Sequence, residues 1–576
     1  MKHHHIPALV ASVLFVVSAG CVAAEKLDRG FVAIATSSNS VYLSWRLLPE
    51  DPKDIAFNVY RGFYSEPFER VNRAPVERTT DLVDDTVRSG NSYFWQLKAV
   101  IGGVEQTNII GETVLRVVPQ LYRSIRLQST NTVFDKVALA DLNGDGALDF
   151  IIKQPRQITD PGVWKKSEDT FKVEAYLSGG TFLWRKDLGW NIEQGVWWSP
   201  MIAADFDGDG KAELALKTAP SDKDYRNEAG RVLAGPEYCS VLDGLTGKEL
   251  ARVDWPARGN IEDWGDKTGN RASRHLIGLA YLDGVGKNPS LLVMRGTYTL
   301  MRVDAYDFKR GKLMLRWSWN GDDESPKVRG QGMHGMHAAD VDGDGRDEIV
   351  LGAAVLDDNG KTLWNLGMGH PDSVYVADVD PARPGLEIIY GFETAQPTNG
   401  FCLVEAKTGK IIWGSQHLTS HIHSQGLYAD IDPANPGPEF FGGEKFFPDR
   451  WLYSARDGKL LSREDLGSLS PNPVYWDATP FKAYLKQGKI IKFRGETLGE
   501  IEGRVAAIGD ILGDWREEFV TSVPGELRIY STTIPAESRR VTALADRLYR
   551  NDVAVQSMGY LYPPQLSFDP YAKDSH

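Results

Sequence analysis

Carboxylates recur at alternate positions in short, glycine-containing stretches of this chain. In AADFDGDGKAE (203–213), Asp205, Asp207 and Asp209 are followed by Glu213, and AADVDGDGRDE (338–348) repeats the set as Asp340, Asp342, Asp344 and Glu348. A third copy, ALADLNGDGALDF, supplies Asp141, Asn143, Asp145 and Asp149. Acids this close repel one another unless a cation lies between them. Oxygen ligands at positions 1, 3, 5 and 9 of a tight loop, with a main-chain carbonyl at position 7, suit calcium. The glycine after the third acid permits the sharp reversal. An EF-hand shares the opening spacing but needs Glu at position 12 and flanking helices. Here position 12 is Ile152, Leu216 or Leu351, inside apolar, β-branched runs that read as strand. Weaker copies hold Asp378, Asp380 and Glu387, then Asp430, Asp432 and Glu439, then Asp510, Asp514 and Glu518, whereas AYLDGVGKNPSLLVMRG keeps only Asp283. Several calcium ions are therefore expected.

A second set of candidate residues precedes these turns. The stretches EQGVWWSPMIAAD, GQGMHGMHAAD, GMGHPDSVYVAD, HIHSQGLYAD and EGRVAAIGD carry Trp197, Trp198, His334, His337, His370, His421, His423, Gln425 and Arg504. Five of the chain's 11 histidines fall there, at equivalent places in three repeats, which points to a shared cleft. None has zinc-type spacing on a helix.

Elements that would position these residues follow from the repeats. The leading acids 141, 205, 283, 340, 378, 430 and 510 recur every 40 to 80 residues or so, the scale of propellers and solenoids. Each unit runs from apolar residues through an Asp-centred turn into a buried strand, with further strands and glycine turns before the next. One more unit fits around PVYWDATPF. An all-β fold is expected, with an eight-bladed β-propeller over 119–576. In such a blade, residues just before the innermost strand surround one end of a central funnel. Residues 25–118 lack acidic loops and carry short alternating strands (SVYLSWRLL, AFNVYRGF, YFWQLKAVIGG), expected to form a small fibronectin-like β-sandwich.

Residues 1–24 combine a polar start, an apolar run and small residues before Glu25, as a secretory signal does. A secreted or periplasmic protein is expected; a lipoprotein site at Cys21 is the alternative. Cys239 and Cys402 would then be the remaining thiols, too few for a disulfide framework. Nothing later is apolar enough for an integral membrane span. With 78 acidic against 65 basic residues and a net charge of −13, nucleic acid is not an expected partner. The 16 Trp and 22 Tyr suit carbohydrate platforms as well as a propeller core.

Longer motifs carry a family resemblance. LDRGFVAIATSSNSVYLSWRLLPEDPKDIAFNVYRG (27–62), DFDGDGKAELALKTAPSD, DYRNEAGRVLAGPEY, GNRASRHLIGLAYLDG, DPARPGLEI, DILGDWREE, LRIYSTTIPAESR and YPPQLSF together resemble the rhamnogalacturonan lyases of polysaccharide lyase family 11. The resemblance implies a calcium-rich eight-bladed propeller with an N-terminal β-domain. It also implies eliminative cleavage between rhamnose and the C4 oxygen of galacturonate in a uronic-acid-containing polysaccharide, by a protein expected to be monomeric. Such chemistry needs a base for the C5 proton and a cation or guanidinium at the uronate carboxylate. Candidate bases are His334, His337, His423, Lys217 and Tyr560; candidate neutralisers are Arg504 and a cleft calcium. Trp197, Trp198, His370 and Gln425 are expected to contact substrate. The chain departs from the family pattern at two places. The Asn-Gly-Thr-Lys loop that members carry is replaced by GEIEGRV, which brings Glu500 and Glu502, and Gln425 stands where an arginine is usual. An altered preference among uronate-containing glycans is therefore expected. A calcium-dependent, non-catalytic glycan-binding propeller is the alternative reading. A hydrolase would need a flanking carboxylate pair, for which Asp372 and Asp477 are the weak candidates.

The metal-loop reading has a direct test. Adding excess chelator should lower the thermal unfolding midpoint, and calcium should restore it; a midpoint that does not move under prolonged chelation would count against bound calcium.

Overall fold

The computed structural model describes residues 26–63, 67–156 and 160–569. The expected leader, including Cys21, lies outside the described residues. Strands dominate, arranged in ten antiparallel sheets. Two of these sheets belong to the N-terminal part. One pairs Val32–Ala35, Val41–Ser44 and Asp81–Asp84, and the other is built on Ala56–Gly62, Ser92–Ile101 and Val104–Arg116. Trp45, Phe57, Leu97 and Trp95 fill the core between them, with the Trp95 indole donating to Asp84 at 3.0 Å.

Eight sheets follow, each of four strands. Sheets one to seven take consecutive strands, spanning 136–187, 201–254, 275–320, 332–365, 371–414, 427–462 and 473–500. Sheet eight uses Arg504–Gly509, Glu518–Val523 and Glu526–Tyr530, and completes itself with Arg123–Arg126, from ahead of sheet one. The first strands of sheets one to five are neighbours in series, and that of sheet eight lies beside that of sheet one.

The acidic stretches form the turn between first and second strands, and one detail explains why each turn closes on an acid at position 9 or 10. Asp149, Glu213, Glu348, Glu387, Glu439 and Glu518 each open a second strand. Each turns a carboxylate back onto the N–H just after the leading Asp: Leu142 at 2.9 Å, Phe206 at 2.9 Å, Val341 at 2.8 Å, Val379 at 3.0 Å, Ile431 at 2.8 Å and Ile511 at 2.8 Å. The acid thus closes the turn whether or not a cation sits in the loop. Burial pushes Glu213 and Glu348 up to about 8, so both positions favour a neutralising partner.

A helix that the repeat pattern does not foresee, Arg547–Val555, packs against the first strands of sheets one to four and eight. Asp546 caps it by accepting the Tyr549 N–H at 3.0 Å. Inward-turned polar side chains in the helix and just beyond its end find main-chain partners. Asn551 donates to Ala338 O at 3.0 Å, Gln556 to Ile508 O at 2.8 Å, and Ser557 to Met201 O at 2.6 Å.

His337 points at this helix. Its Nδ1 lies 2.7 Å from Asp552 Oδ1 and its Nε2 3.1 Å from Val374 O. Burial opposes a charge there, yet Asp552 and the carbonyl outweigh it and raise the imidazole pKa. An imidazolium donating from both nitrogens has no lone pair to offer a substrate, so His337 is placed as a structural cation. Breaking such a buried pair from one side costs about 3–5 kcal/mol. A folded pKa above the unfolded one gives stability that is full below about pH 6.5, the ordinary imidazole value, and fades as pH rises through the raised value. A double-mutant cycle with His337→Gln and Asp552→Asn should therefore show strong coupling at pH 6 that shrinks at alkaline pH. Coupling independent of pH would remove the charged pair.

Candidate active site

His334 lies on the first strand of sheet four (Gly332–Ala339), and His370 immediately precedes that of sheet five (Pro371–Ala377). Asp372 follows two residues after His370, where the strand pairing shifts register between Pro371 and Ser373. Glu393 directly follows the second strand of sheet five (Glu387–Phe392). Ligating atoms of these four side chains lie within 4.8 Å of one another. His370 Nδ1 is hydrogen-bonded to Gly332 O, which leaves Nε2 facing Asp372 Oδ1 at 3.2 Å and Glu393 Oε2 at 3.4 Å. An imidazole oriented by a carbonyl, with its other nitrogen among carboxylate oxygens, is an arrangement that suits a metal ligand with its outer-shell partner. His334 Nε2 lies 3.5 Å from Asp372 Oδ1 and 2.9 Å from the Tyr298 hydroxyl.

The electrostatics agree. Burial and then the proximity of His370 hold His334 well below the ordinary imidazole range, hence neutral. Burial would also lower His370, but Asp372 and Glu393 push it up to about 9. Burial would raise Asp372; the hydrogen bonds to His370 and His423 hold it well below the usual carboxylate range. The cluster therefore favours added positive charge. Two nitrogens and two carboxylates can ligate a divalent cation.

Around the cluster, rings form a wall. Trp197 and Tyr560 flank His334 at centroid distances of 4.8 and 4.5 Å, and Tyr298 packs on His370 at 4.3 Å. Tyr560 is fixed by its N–H on His334 O at 2.9 Å, and burial raises its phenol pKa, keeping it protonated. At the mouth, His423 is partly exposed and sets Nδ1 3.0 Å from Asp372 Oδ2; that oxygen also accepts the Ser424 N–H at 2.8 Å. His423 Nε2 has no hydrogen-bond partner among the described residues.

Other expected residues lie elsewhere or play other parts. Lys217 is buried in a separate group, 3.0 Å from Glu237, which also binds Arg258 and Arg295; burial lowers the Lys217 pKa despite Glu237. Arg504 opens sheet eight, partly exposed, with Asp135 at 3.9 Å shared with Arg156. Trp198 is buried in the core, while the Gln425 N–H binds Ser470 at 3.1 Å. Of the two added acids, Glu502 is neutralised by Arg528 at 2.6 Å, and Glu500 ends the outermost strand of sheet seven, so neither stands as a free charge beside the cluster. Asp477 pairs with Lys492 at 2.5 Å and does not flank Asp372 in this cluster. Sequence reasoning missed Glu393 and Tyr298. Both follow second strands, in stretches (GFETAQ, RGTYTL) with no repeating signature. In the sequence Asp372 is legible only as a weak member of a hydrolase carboxylate pair, not as a partner of His370.

Among the acidic turns, three carboxylates converge within 4.8 Å in two: Asp205, Asp207 and Glu213, and Asp340, Asp342 and Asp344. In the first turn Asn143 and Asp145 are hydrogen-bonded to each other at 2.9 Å. At Asp378–Glu387, Arg383 approaches Asp380 at 3.2 Å, and at Asp430–Glu439, Asn435 donates to Glu439 at 2.6 Å. Asp283, which lacks companion acids, is gripped at 2.8 Å by both terminal nitrogens of Arg316.

Comparison with known proteins gives a consistent result. Residues 128–571 match the model for the rhamnogalacturonan lyase family 11 C-terminal domain, and residues 22–115 that for the rhamnogalacturonan I lyase β-sheet domain. The chain is 37% identical to the rhamnogalacturonan endolyase YesW of Bacillus subtilis over 94% of its length and 90% of the relative's. It is 34% identical to the exolyase YesX of the same organism, over 94% and 95% of the two chains. The crystal structure of YesW superimposes with a TM-score of 0.85 at 36% identity over 94% of this chain and 96% of that one, and the Bacillus licheniformis rhamnogalacturonan lyase PL11 gives the same values.

The burial of Lys217 separates a structural from a chemical role. Lys217→Met should lower stability by about 1–3 kcal/mol in denaturant unfolding, with kcat of the folded protein within about twofold of wild type. A fall in kcat of several orders of magnitude with unchanged stability would restore Lys217 as a base.

Proposed function

From membership of rhamnogalacturonan lyase family 11, to which the chain belongs, we propose that this polysaccharide lyase cleaves rhamnogalacturonan by β-elimination between rhamnose and uronate at the His334 cluster. The observation that carries the reading is the convergence of His334, His370, Asp372 and Glu393 beneath an aromatic wall. We read the eight four-stranded sheets as propeller blades around the Arg547–Val555 helix, with the cluster at one end of the hub. The acidic turns would hold calcium, and the N-terminal leader would export the protein, to the periplasm or beyond, with anchoring at Cys21 the alternative.

Elimination removes the C5 proton beside the uronate carboxylate, forms the C4–C5 double bond and expels the C4 oxygen. His334, His370, Asp372 and Glu393 would hold a divalent cation. When bound, that cation supplies the charge that stabilises the carboxylate as it takes on enediolate character. His423 fits the base. Asp372 accepts its Nδ1–H and so leaves the Nε2 lone pair facing the mouth, the orienting logic of a carboxylate–imidazole pair. Tyr560 fits the acid, since its protonated hydroxyl has no hydrogen-bond partner among the described residues and can protonate the departing oxygen. Trp197, in contact with Tyr560 at 5.7 Å, backs that wall.

Ultraviolet absorbance of the unsaturated uronate decides the reaction type. Rhamnogalacturonan should give the absorbing product and homogalacturonan should not. His423→Ala and Tyr560→Phe should each lower kcat by about 10²-fold or more, without a matching change in melting midpoint. New reducing ends without absorbance would mean hydrolysis; binding without any product would mean a non-catalytic glycan-binding protein.

A further inference from the structure

Arg271 and Arg274 lie three residues apart, just ahead of the first strand of sheet three (His275–Ala280), yet their charges meet different fates. Arg274 is buried and forks onto Asp160 at 2.6 and 2.8 Å, with Asn270 at 3.0 Å, so its charge is spent. Arg271 is only partly buried, and no acid among the described residues is ion-paired with it. Its guanidinium lies 4.1 Å from the centroid of the Tyr298 ring. His370 packs on that same ring at 4.3 Å, and the ring's hydroxyl reaches His334 at 2.9 Å. One aromatic ring thus joins an unpaired cation to the donor cluster.

The backbone beneath Arg271 is built to hold it there. Asp266 accepts the N–H groups of Thr268 at 2.7 Å, Asn270 at 3.1 Å and Arg271 at 2.8 Å, which fixes the loop. A guanidinium lying on an aromatic ring keeps its in-plane N–H donors free, the geometry that suits a carboxylate. Arg271 remains partly exposed, so those donors are open to an anionic ligand that can displace water from them.

We propose that Arg271, held on Tyr298, is a subsite for a uronate carboxylate of the bound polymer adjacent to the sugar at the His334 cluster. The proposal rests on the reading of that cluster as the site of cleavage, and goes beyond it by assigning a second, anionic contact. The subsite selects for a polymer carrying repeated uronates, and Arg271 acts in binding, not in bond cleavage.

Calorimetry tests this with uronate-containing rhamnogalacturonan oligosaccharides and the same oligosaccharides after reduction of their carboxyl groups. Arg271→Met keeps an apolar stem on Tyr298 and removes the charge. It should weaken the acidic ligand at least fivefold, leave the reduced ligand within twofold, and flatten the dependence of affinity on salt. Arg271→Lys should recover part of the loss. Equal weakening for both ligands, or none for the acidic one, would overturn the subsite; the first result would make Arg271 a packing residue for Tyr298. If wild type binds the acidic ligand through Arg271 but yields no unsaturated product, the subsite stands and the lyase reading falls. If it yields product and Arg271→Met binds as wild type does, the lyase reading stands and the subsite falls.

Discussion

Polar side chains on a buried helix require partners, and that requirement organises the centre of this molecule. The Arg547–Val555 helix offers Asn551 and Asp552, followed by Gln556 and Ser557, to the first strands of several sheets, and each group is taken up by a main-chain carbonyl or by His337. Lys136 adds a further tie by donating to Gln556 O at 3.1 Å. An unmet group here would carry the full desolvation penalty, so the helix has one seating. That seating carries the following chain to Tyr560 and Tyr562, which bind His334 O at 2.9 Å and Asp372 O at 2.7 Å through an N–H and a hydroxyl. The wall of the candidate site is thus set by the polar matching of a helix that contributes no residue to the donor cluster.

Asp372 links the parts of the site. Its Oδ1 faces His370 and His334, where positive charge is favoured, while Oδ2 holds the Ser424 N–H and orients His423. A single carboxylate therefore couples the donor cluster to the histidine at the mouth. Local backbone geometry makes this possible. His370 and Asp372 meet where the strand pairing shifts register between Pro371 and Ser373, while His421 and His423 share a face of an extended segment, and Ile422 between the latter is fully buried and bridged to Glu444.

Much of the fold was legible because its signal repeats. Six acids open six second strands in the same way, and a pattern seen six times in sequence identifies itself. The donor cluster was legible in part. His334, His370 and His423 stand at equivalent places before acidic turns, so the repeat pointed to them. Glu393, Tyr298 and Arg271 lie on connections that differ from sheet to sheet, where no period exists to read. His337 shows the limit of position alone. Three residues from His334 on one strand, it faces the helix, and only the partner Asp552, distant in sequence, reveals a structural cation. The helix itself was hidden because it is a single nine-residue element that shares none of the repeat pattern and mixes Asn551 and Asp552 with Leu548, Tyr549, Val553 and Val555 on its buried face.

Negative charge gathered in a tight turn meets more than one solution within this chain. In the turns of sheets two and four, acids converge with room for a cation between them. In sheet three, Arg316 forks onto the lone Asp283. In sheet eight, Arg516 binds Asp514, and Arg46 reaches across from the N-terminal part to the carbonyls of Asp510 and Ile511. A guanidinium is a permanent charge, bound at no cost in ion concentration, whereas an ion must be drawn from solution. Sheets stapled by arginine therefore need no ion at their turn, and Arg46 at sheet eight also docks the N-terminal part where the last sheet closes onto Arg123–Arg126. At the candidate site both kinds of charge stay open among the described residues: a donor cluster with no arginine ion-paired to it, and Arg271 with no ion-paired acid. Charge is compensated where the fold needs permanence, and left open at the cluster and at Arg271, where the proposed anionic polymer would supply the partner.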